Sequence, residues 1–309
     1  MKKLEITIEP EDSDVRIDKW ISDTIPDFSR SYIQKCISEG CISVNGKTAC
    51  KSSTKLCTGD ELVFDVPDAS VPDIEPEDIP LDILYEDRDV IVINKPKGMV
   101  VHPAPGHYSG TLVNALMYHC RGQLSGINGV MRPGIVHRID KNTTGSVIAC
   151  KNDDAHKSIA AQLENHSIKR LYHAIVWNNV IDDEGVIEGN IGRSSSDRKK
   201  MAVVDNEHGK NAVTHYHVIE RFGKFTYIEC RLETGRTHQI RVHMSHIGHP
   251  LLGDSVYGGG DSGFDLDGQC LHAKTLGFVH PRTGEYIETD APLPEYFSHL
   301  LDVLHSSHK

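Results

Sequence analysis

Gly134-Ile135-Val136-His137-Arg138-Ile139-Asp140, continuing as Lys141-Asn142-Thr143-Thr144-Gly145, sets charged side chains into a run otherwise fit for burial. Strand-like alternation puts Val136, Arg138 and Asp140 on one face and Ile135, His137 and Ile139 on the other. The Asp140 carboxylate then emerges where a strand meets a turn. An aspartate there is either a turn former or a candidate nucleophile or base. Thr234-Gly235-Arg236-Thr237-His238-Gln239-Ile240-Arg241-Val242-His243 has the same character. Across residues 237–247, Ile240, Met244 and Ile247 form a helical apolar stripe, so Arg241 should flank a buried face.

Around these stretches strands are expected at 135–140, 146–150, 171–176, 212–219 and 226–232, after a strand pair at 83–85 and 90–94. Thr111 should cap a helix bearing Leu112, Ala115 and Leu116, and Asp154 should open another bearing Ile159, Leu163 and Ile168. Strands outnumber helices without regular alternation. The expected fold class is therefore α+β, with a large, mostly antiparallel sheet.

The N-terminal 66 residues read as a separate small α/β domain. Ile17, Trp20, Ile21 and Ile25 have helical spacing, and Ser29 is placed to cap a second helix carrying Tyr32, Ile33, Cys36 and Ile37. Ile42-Ser43-Val44 meets an Asn45-Gly46 turn, and Glu61-Leu62-Val63-Phe64 is a later strand. Residues 67–80, rich in proline and acid, read as an extended linker, with a larger domain over 81–309.

The 309 residues carry a formal charge of -11, which at first opposes an RNA partner. Distribution matters more than the sum. Much of the acid lies between Asp65 and Asp78, whereas cations gather at Arg193, Arg198, Lys199 and Lys200 and at Arg231, Arg236 and Arg241, so a basic cleft on an acidic body is expected. No apolar run is long enough to cross a bilayer and no signal-peptide core follows Met1, which makes the cytoplasm the expected address. The eight cysteines are scattered and read as buried thiols of a reducing compartment. The run His238, His243, His246 and His249 could suggest a metal-dependent hydrolase, but Arg241 lies among these residues and no carboxylate joins them before Asp254.

The two charged stretches resemble the signatures of the RluA family, pseudouridine synthases of the large-subunit ribosomal RNA type. Further matches are Lys95-Pro96-Lys97-Gly98-Met99 with Val101-His102-Pro103, Arg170-Leu171-Tyr172-His173-Ala174, and Gly253-Asp254-Ser255-Val256-Tyr257-Gly258. The resemblance spans residues 81–294. Ile139 replaces the usual Leu, Thr144 the usual Ser, and Trp177-Asn178-Asn179 departs from the Gly common after that strand. The N-terminal segment resembles an S4-type RNA-binding domain, with Arg16, Ser29, Arg30, Lys35 and residues 40–46 at its motif positions.

The resemblance implies an isomerase that turns uridine into pseudouridine in structured RNA, most naturally large-subunit ribosomal RNA. It implies that Asp140 attacks the target nucleotide and that Arg241 pairs with it. Tyr172 would stack on the flipped uracil and assist removal of the carbon-5 proton. Arg138 would fill the space of the flipped base or hold a neighbouring phosphate. Gly235, Arg236 and Thr237 would meet RNA at a helix N-terminus, while Arg198 and Lys199 would grip its backbone from a basic hairpin. The reaction is redox-neutral, so no cofactor and no metal are expected, and the chain should act as a monomer. Transfer RNA as substrate, and a non-catalytic role in ribosome assembly, are the competing readings.

Overall fold

The computed structural model describes residues 2–25, 30–49, 51–66, 74–103, 107–127, 132–195, 197, 200–258 and 263–307. Two compact units divide the chain, residues 1–73 and 74–309.

In the first unit, strand β1 (Lys2–Thr7) precedes helices α1 (Ile17–Thr24) and α2 (Arg30–Ser38), then β2 (Ile42–Val44), β3 (Lys47–Thr48) and β4 (Glu61–Val66). Asn45 and Gly46 take positive φ, 51° and 72°, as the two-residue hairpin between β2 and β3 requires. Strand β1, not expected from the sequence, pairs antiparallel with β4; the alternation Leu4, Ile6, Ile8 was its signal. Ile17, Trp20, Ile21, Ile33, Cys36 and Phe64 form one core. Ser29 lies outside the described residues.

The second unit runs β5 (Ile83–Glu86), β6 (Val90–Lys95), α3 (Leu112–His119), β7 (Thr144–Cys150), α4 (Asp153–Glu164), β8 (Lys169–Trp177), β9 (Glu184–Arg193), β10 (Met201–Val204), β11 (Lys210–Arg221), β12 (Phe225–Leu232), α5 (Gln239–His246), β13 (Leu271–Val279), β14 (Tyr286–Asp290) and α6 (Glu295–Ser307). Among the described residues it is one ten-stranded sheet in the order β10-β9-β11-β12-β8-β13-β7-β6-β5, with β14 beside β13. The β13–β7 pair is parallel and the other neighbours are antiparallel. The class is α+β, and the sheet is mostly antiparallel.

Period-two alternation divides the core. On β6 and β7, Ile91, Ile93, Val147 and Ala149 point into the central cluster, while Val90, Val92, Ile148 and Cys150 point into another beneath α4. On β8, Tyr172, Ala174 and Val176 join the central cluster and Ile175 joins that of α6. The central cluster also receives Ile135, Ile139, Ile240 and Met244, so it is the floor of the site.

Several expectations need correction. Residues 135–140 form no strand: Ile135 makes an isolated bridge to Ala149, and the Ile148 N–H donates to His137 Nε2 at 3.0 Å. The segment crosses the edge of β7, with a side chain supplying the acceptor that a strand would offer from its backbone. Residues 74–80 are not all linker, because Ile74 is buried in the central cluster and Asn114 Nδ2 donates to the Glu75 carbonyl at 2.8 Å. Helix α4 opens one residue early, capped by Asn152, whose side chain accepts from Ala155 N–H, and Ile168 lies beyond its end. Ile247 is 36% exposed rather than part of the stripe. Among the cysteines Cys57 is exposed and Cys41 intermediate, and Cys50 lies outside the described residues.

Gly145 marks the tightest point of this architecture. Its φ is +104°, and a Cβ there would meet the Ala273 carbonyl oxygen at 2.2 Å. Gly145→Ala is therefore expected to destabilise the protein by roughly 3 kcal/mol, read as the shift of the urea midpoint; an unchanged midpoint would contradict the close β7–β13 approach.

Candidate active site

A cavity of about 470 Å³ opens over the central cluster, bounded by the 135–141 segment, the start of β8 and the loop into α5. It gathers Arg138, Asp140, Tyr172, Gly235, Arg236, Thr237 and Arg241 from three separated stretches. Its charged lining is Arg132, Arg138, Lys141, Arg170, Arg236 and Arg241 against one carboxylate, Asp140. The cleft is basic, but of the described cations expected to make it so only Arg236 and Arg241 line it, and Arg193, Lys200 and Arg231 do not.

Arg241 enters from α5, whose residues from Gln239 to Met244 are all buried. The helix is preceded by His238 in the left-handed region, φ 57°. Gln239 fixes the entry: its Oε1 accepts from Arg236 N–H at 2.9 Å and Thr234 Oγ1 at 2.7 Å, and its Nε2 donates to the Val213 carbonyl at 3.0 Å. Arg241 Nη1 then donates to Asp140 Oδ2 at 2.8 Å. Its other edge is held by Asp254, with Nε to Oδ2 at 2.7 Å and Nη2 to Oδ1 at 2.9 Å. Burial opposes the Arg241 charge, but Asp254 and Asp140 outweigh it and raise the guanidinium pKa. For Asp254 burial pushes upward, and Arg241 with the Tyr257 and Val256 amides outweighs it, so the net shift is down. Both groups of this inner pair are charged.

Asp140 Oδ1 accepts no hydrogen bond among the described residues; His238 Nε2 stands 3.8 Å from it. The His238 Nδ1 faces Tyr257 Oη at 2.9 Å, and the Tyr257 ring lies 5.1 Å from the Arg241 guanidinium carbon. Behind the turn, buried Lys95 donates to the carbonyls of Pro96, Met99 and Lys141 at 2.8, 2.8 and 3.1 Å. Three acceptors use all three N–H groups of an ammonium. Burial pulls Lys95 down to about 7, with Asp140 acting in the opposite direction.

Tyr172 is 7% exposed on the cavity floor. Burial raises its pKa, Asp140 adding to the shift and Arg170 opposing it. Arg138 is exposed at the rim, without an ion pair among the described residues. Gly235 lies against Arg170, whose Nη1 would stand 2.8 Å from a Cβ at that position.

Outside the cavity, Arg16 and Arg30 of the first unit both bind the fully buried Asp18, each at 3.0 Å, while keeping 45% and 47% of their side chains exposed. Lys35 lies on α2. Arg198 and Lys199 lie outside the described residues. The histidine run has dispersed partners: His243 Nδ1 faces Thr214 Oγ1 at 3.0 Å and His249 Nδ1 the Trp177 carbonyl at 3.0 Å. Asp254, His238, Lys95, Tyr257 and Arg170 are the site residues left without roles by the sequence. All five stand in the matching motifs, and Lys95 also ends a buried strand where a lysine is out of place.

A family model described as RNA pseudouridylate synthase matches residues 89–246, and an S4 domain model matches residues 15–62. The chain is 53% identical over 98% of its length, and 99% of the relative's, to the Bacillus subtilis protein named "Uncharacterized RNA pseudouridine synthase YlyB". It is 45% identical, over 99% of its length and 98% of the relative's, to the ribosomal large subunit pseudouridine synthase D of Zymomonas mobilis. The solved structure of human RNA pseudouridylate synthase domain containing 1 superposes with a TM-score of 0.56 at 25% identity, covering 74% of this chain and 95% of that one.

Removing the Asp254 charge strands Arg241 against a single partner. Asp254→Asn should cost about 3 kcal/mol, measured by urea unfolding at neutral pH, and an unchanged midpoint would refute the anchor. His137 adds a further contribution to the acid limb of stability. Burial, reinforced by Arg170, holds His137 down at about 3, and its Nε2 must stay unprotonated to accept from Ile148. The stability from a neutral His137 is complete above the ordinary histidine pKa, about 6.5, and lost as pH falls toward 3 because the unfolded chain binds the extra proton. His137→Gln should flatten the stability profile across that window; identical profiles would contradict the buried-acceptor role.

Proposed function

The chain belongs to the RNA pseudouridylate synthase family, and from that premise we propose that it isomerises uridine in large-subunit ribosomal RNA, with Asp140 as the attacking group. The observation that carries the role of Asp140 is the unequal state of its two oxygens. Oδ2 is tied to Arg241 at 2.8 Å, while Oδ1 accepts no hydrogen bond among the described residues, and Asp140 lines the cavity. A carboxylate held by one oxygen presents the other in a fixed direction, which is what nucleophilic attack needs.

Uridine within a helix cannot reach this floor, so the target nucleotide turns out of its stack and into the cavity. Tyr172 supplies the flat surface that replaces the neighbouring bases. Burial raises its pKa, which favours the neutral phenol as the stacking surface. Arg138 at the rim and Arg236 beside α5 meet the phosphates or the gap left by the base. The S4 domain guides the RNA through the outward edges of Arg16 and Arg30, oriented by Asp18, and through Lys35. The ribosomal substrate rests on the name of the Zymomonas relative and on the basic lining.

The test is pseudouridine mapping in RNA from a strain lacking the gene, before and after incubation with purified protein. Wild type should restore pseudouridine at discrete positions of the large-subunit RNA, and Asp140→Asn should lose the activity by more than about 10³-fold while still binding RNA. Restoration in transfer RNA alone would overturn the substrate, and an active Asn variant would overturn the mechanism.

A further inference from the structure

Besides Arg241, the cavity holds a second deep guanidinium, and no carboxylate pairs with it among the described residues. Arg170 leaves β8 two positions before Tyr172 and on the same face, is 6% exposed and lines the cavity. Its Nη2 donates to the Glu233 carbonyl at 2.8 Å. Its Nε is buried without a partner, and its Nη1 stands over Gly235 with no hydrogen bond to the described residues. Arg241 has two carboxylates and Lys95 three carbonyls; Arg170 has one carbonyl for five N–H donors. A buried cation so poorly matched costs free energy, and the missing Cβ at position 235 leaves room for it.

Depth decides what Arg170 meets. The exposed Arg138 and half-exposed Arg236 stand where a phosphate backbone would pass, whereas a nucleotide that turns inward brings its base to the floor beside Tyr172. Uracil offers two carbonyl oxygens as acceptors, which match a group that only donates.

We propose, resting on the pseudouridine synthase reading above, that Arg170 is a catalytic residue that donates from its unpartnered N–H groups to a carbonyl oxygen of the flipped uracil. There it stabilises the negative charge that the ring acquires during the exchange. When the N1–C1′ bond breaks, its electron pair stays on uracil and spreads to the carbonyl oxygens. On that route an Asp140 oxygen bonds to C1′ as N1 leaves; the ring turns, a carbon-5 electron pair forms the new bond to C1′ and displaces the carboxylate, the carbon-5 proton passes to solvent and N1 takes one up from solvent, so nothing is oxidised or reduced. If Asp140 instead first adds to the ring, the charge again rests on a carbonyl oxygen. Arg170 serves both routes, acting as an oxyanion donor.

The experiment measures single-turnover pseudouridine formation and RNA affinity for the full-length wild type, Arg170→Met and Arg170→Lys, using RNA from the deletion strain. Arg170→Met should lower the rate constant by about 10²–10³-fold with the RNA dissociation constant within about threefold of wild type, and Arg170→Lys should fall between. An unchanged rate constant in the Met variant overturns the proposal. So does a loss confined to RNA affinity, which would make Arg170 a phosphate contact. If Arg170→Met fails to fold, as judged by circular dichroism, Arg170→Lys decides: a rate constant at least about tenfold lower at unchanged affinity supports the role, and an unchanged one refutes it. A wild-type protein that forms no pseudouridine in any RNA refutes the parent reading and this inference together, whereas active Arg170 variants beside an active wild type refute this inference alone.

Discussion

Arg241 reaches Asp140 in a fixed direction because Asp254 holds the opposite edge of its guanidinium. A two-point ion pair between planar groups sets angle as well as distance, and the backbone amides of Val256 and Tyr257 lock Asp254 in turn. The remaining Nη1 then has one place to point. Remove the Asp254 contact and the long arginine regains rotamers, so the Asp140 carboxylate would lose its orientation although its own neighbours are untouched. The orientation of Asp140 is set by a group that does not line the cavity.

The surrounding structure supplies rigidity at each side of that line. Lys95 ties the turn after Asp140 to the loop after β6 through three carbonyls. Gln239 secures the entry of α5, and Tyr257 Oη both faces His238 and accepts from Met201 N–H at 2.8 Å. Such polar groups are costly when buried and unsatisfied, but satisfied they leave few alternative arrangements. The apolar floor beneath them is close-packed and deforms little.

Much of this was legible in sequence because the signals were local. Apolar patterning in β6, β7, β8, β11 and β12 and the capping residue Thr111 locate elements whose edges moved by no more than two residues. The pairing of Asp140 with Arg241, 101 positions apart, came from resemblance and not from any periodicity. What stayed hidden depended on tertiary surroundings. Residues 135–140 alternate as a strand does, yet β7 receives the His137 ring there instead of a backbone carbonyl. The acidic composition around Glu75 suggested a linker, yet Ile74 is drawn into the core and Glu77 accepts from the Gly110 amide at 3.0 Å. Gly235 looked like a residue for approaching ligand, and its nearest neighbour is Arg170.

The strand order carries a consequence for how the enzyme is made. β13, which follows most of the sheet in sequence, lies between β8 and β7, so the two halves of the sheet have no common neighbour until it inserts. On a translating ribosome the earlier strands emerge with both of these edges bare, a state prone to wrong pairing. Asp140 precedes β7 on one side of β13 and Arg241 follows β12 on the other, so the strand at residues 271–279 is what joins the two parts of the sheet that carry the pair.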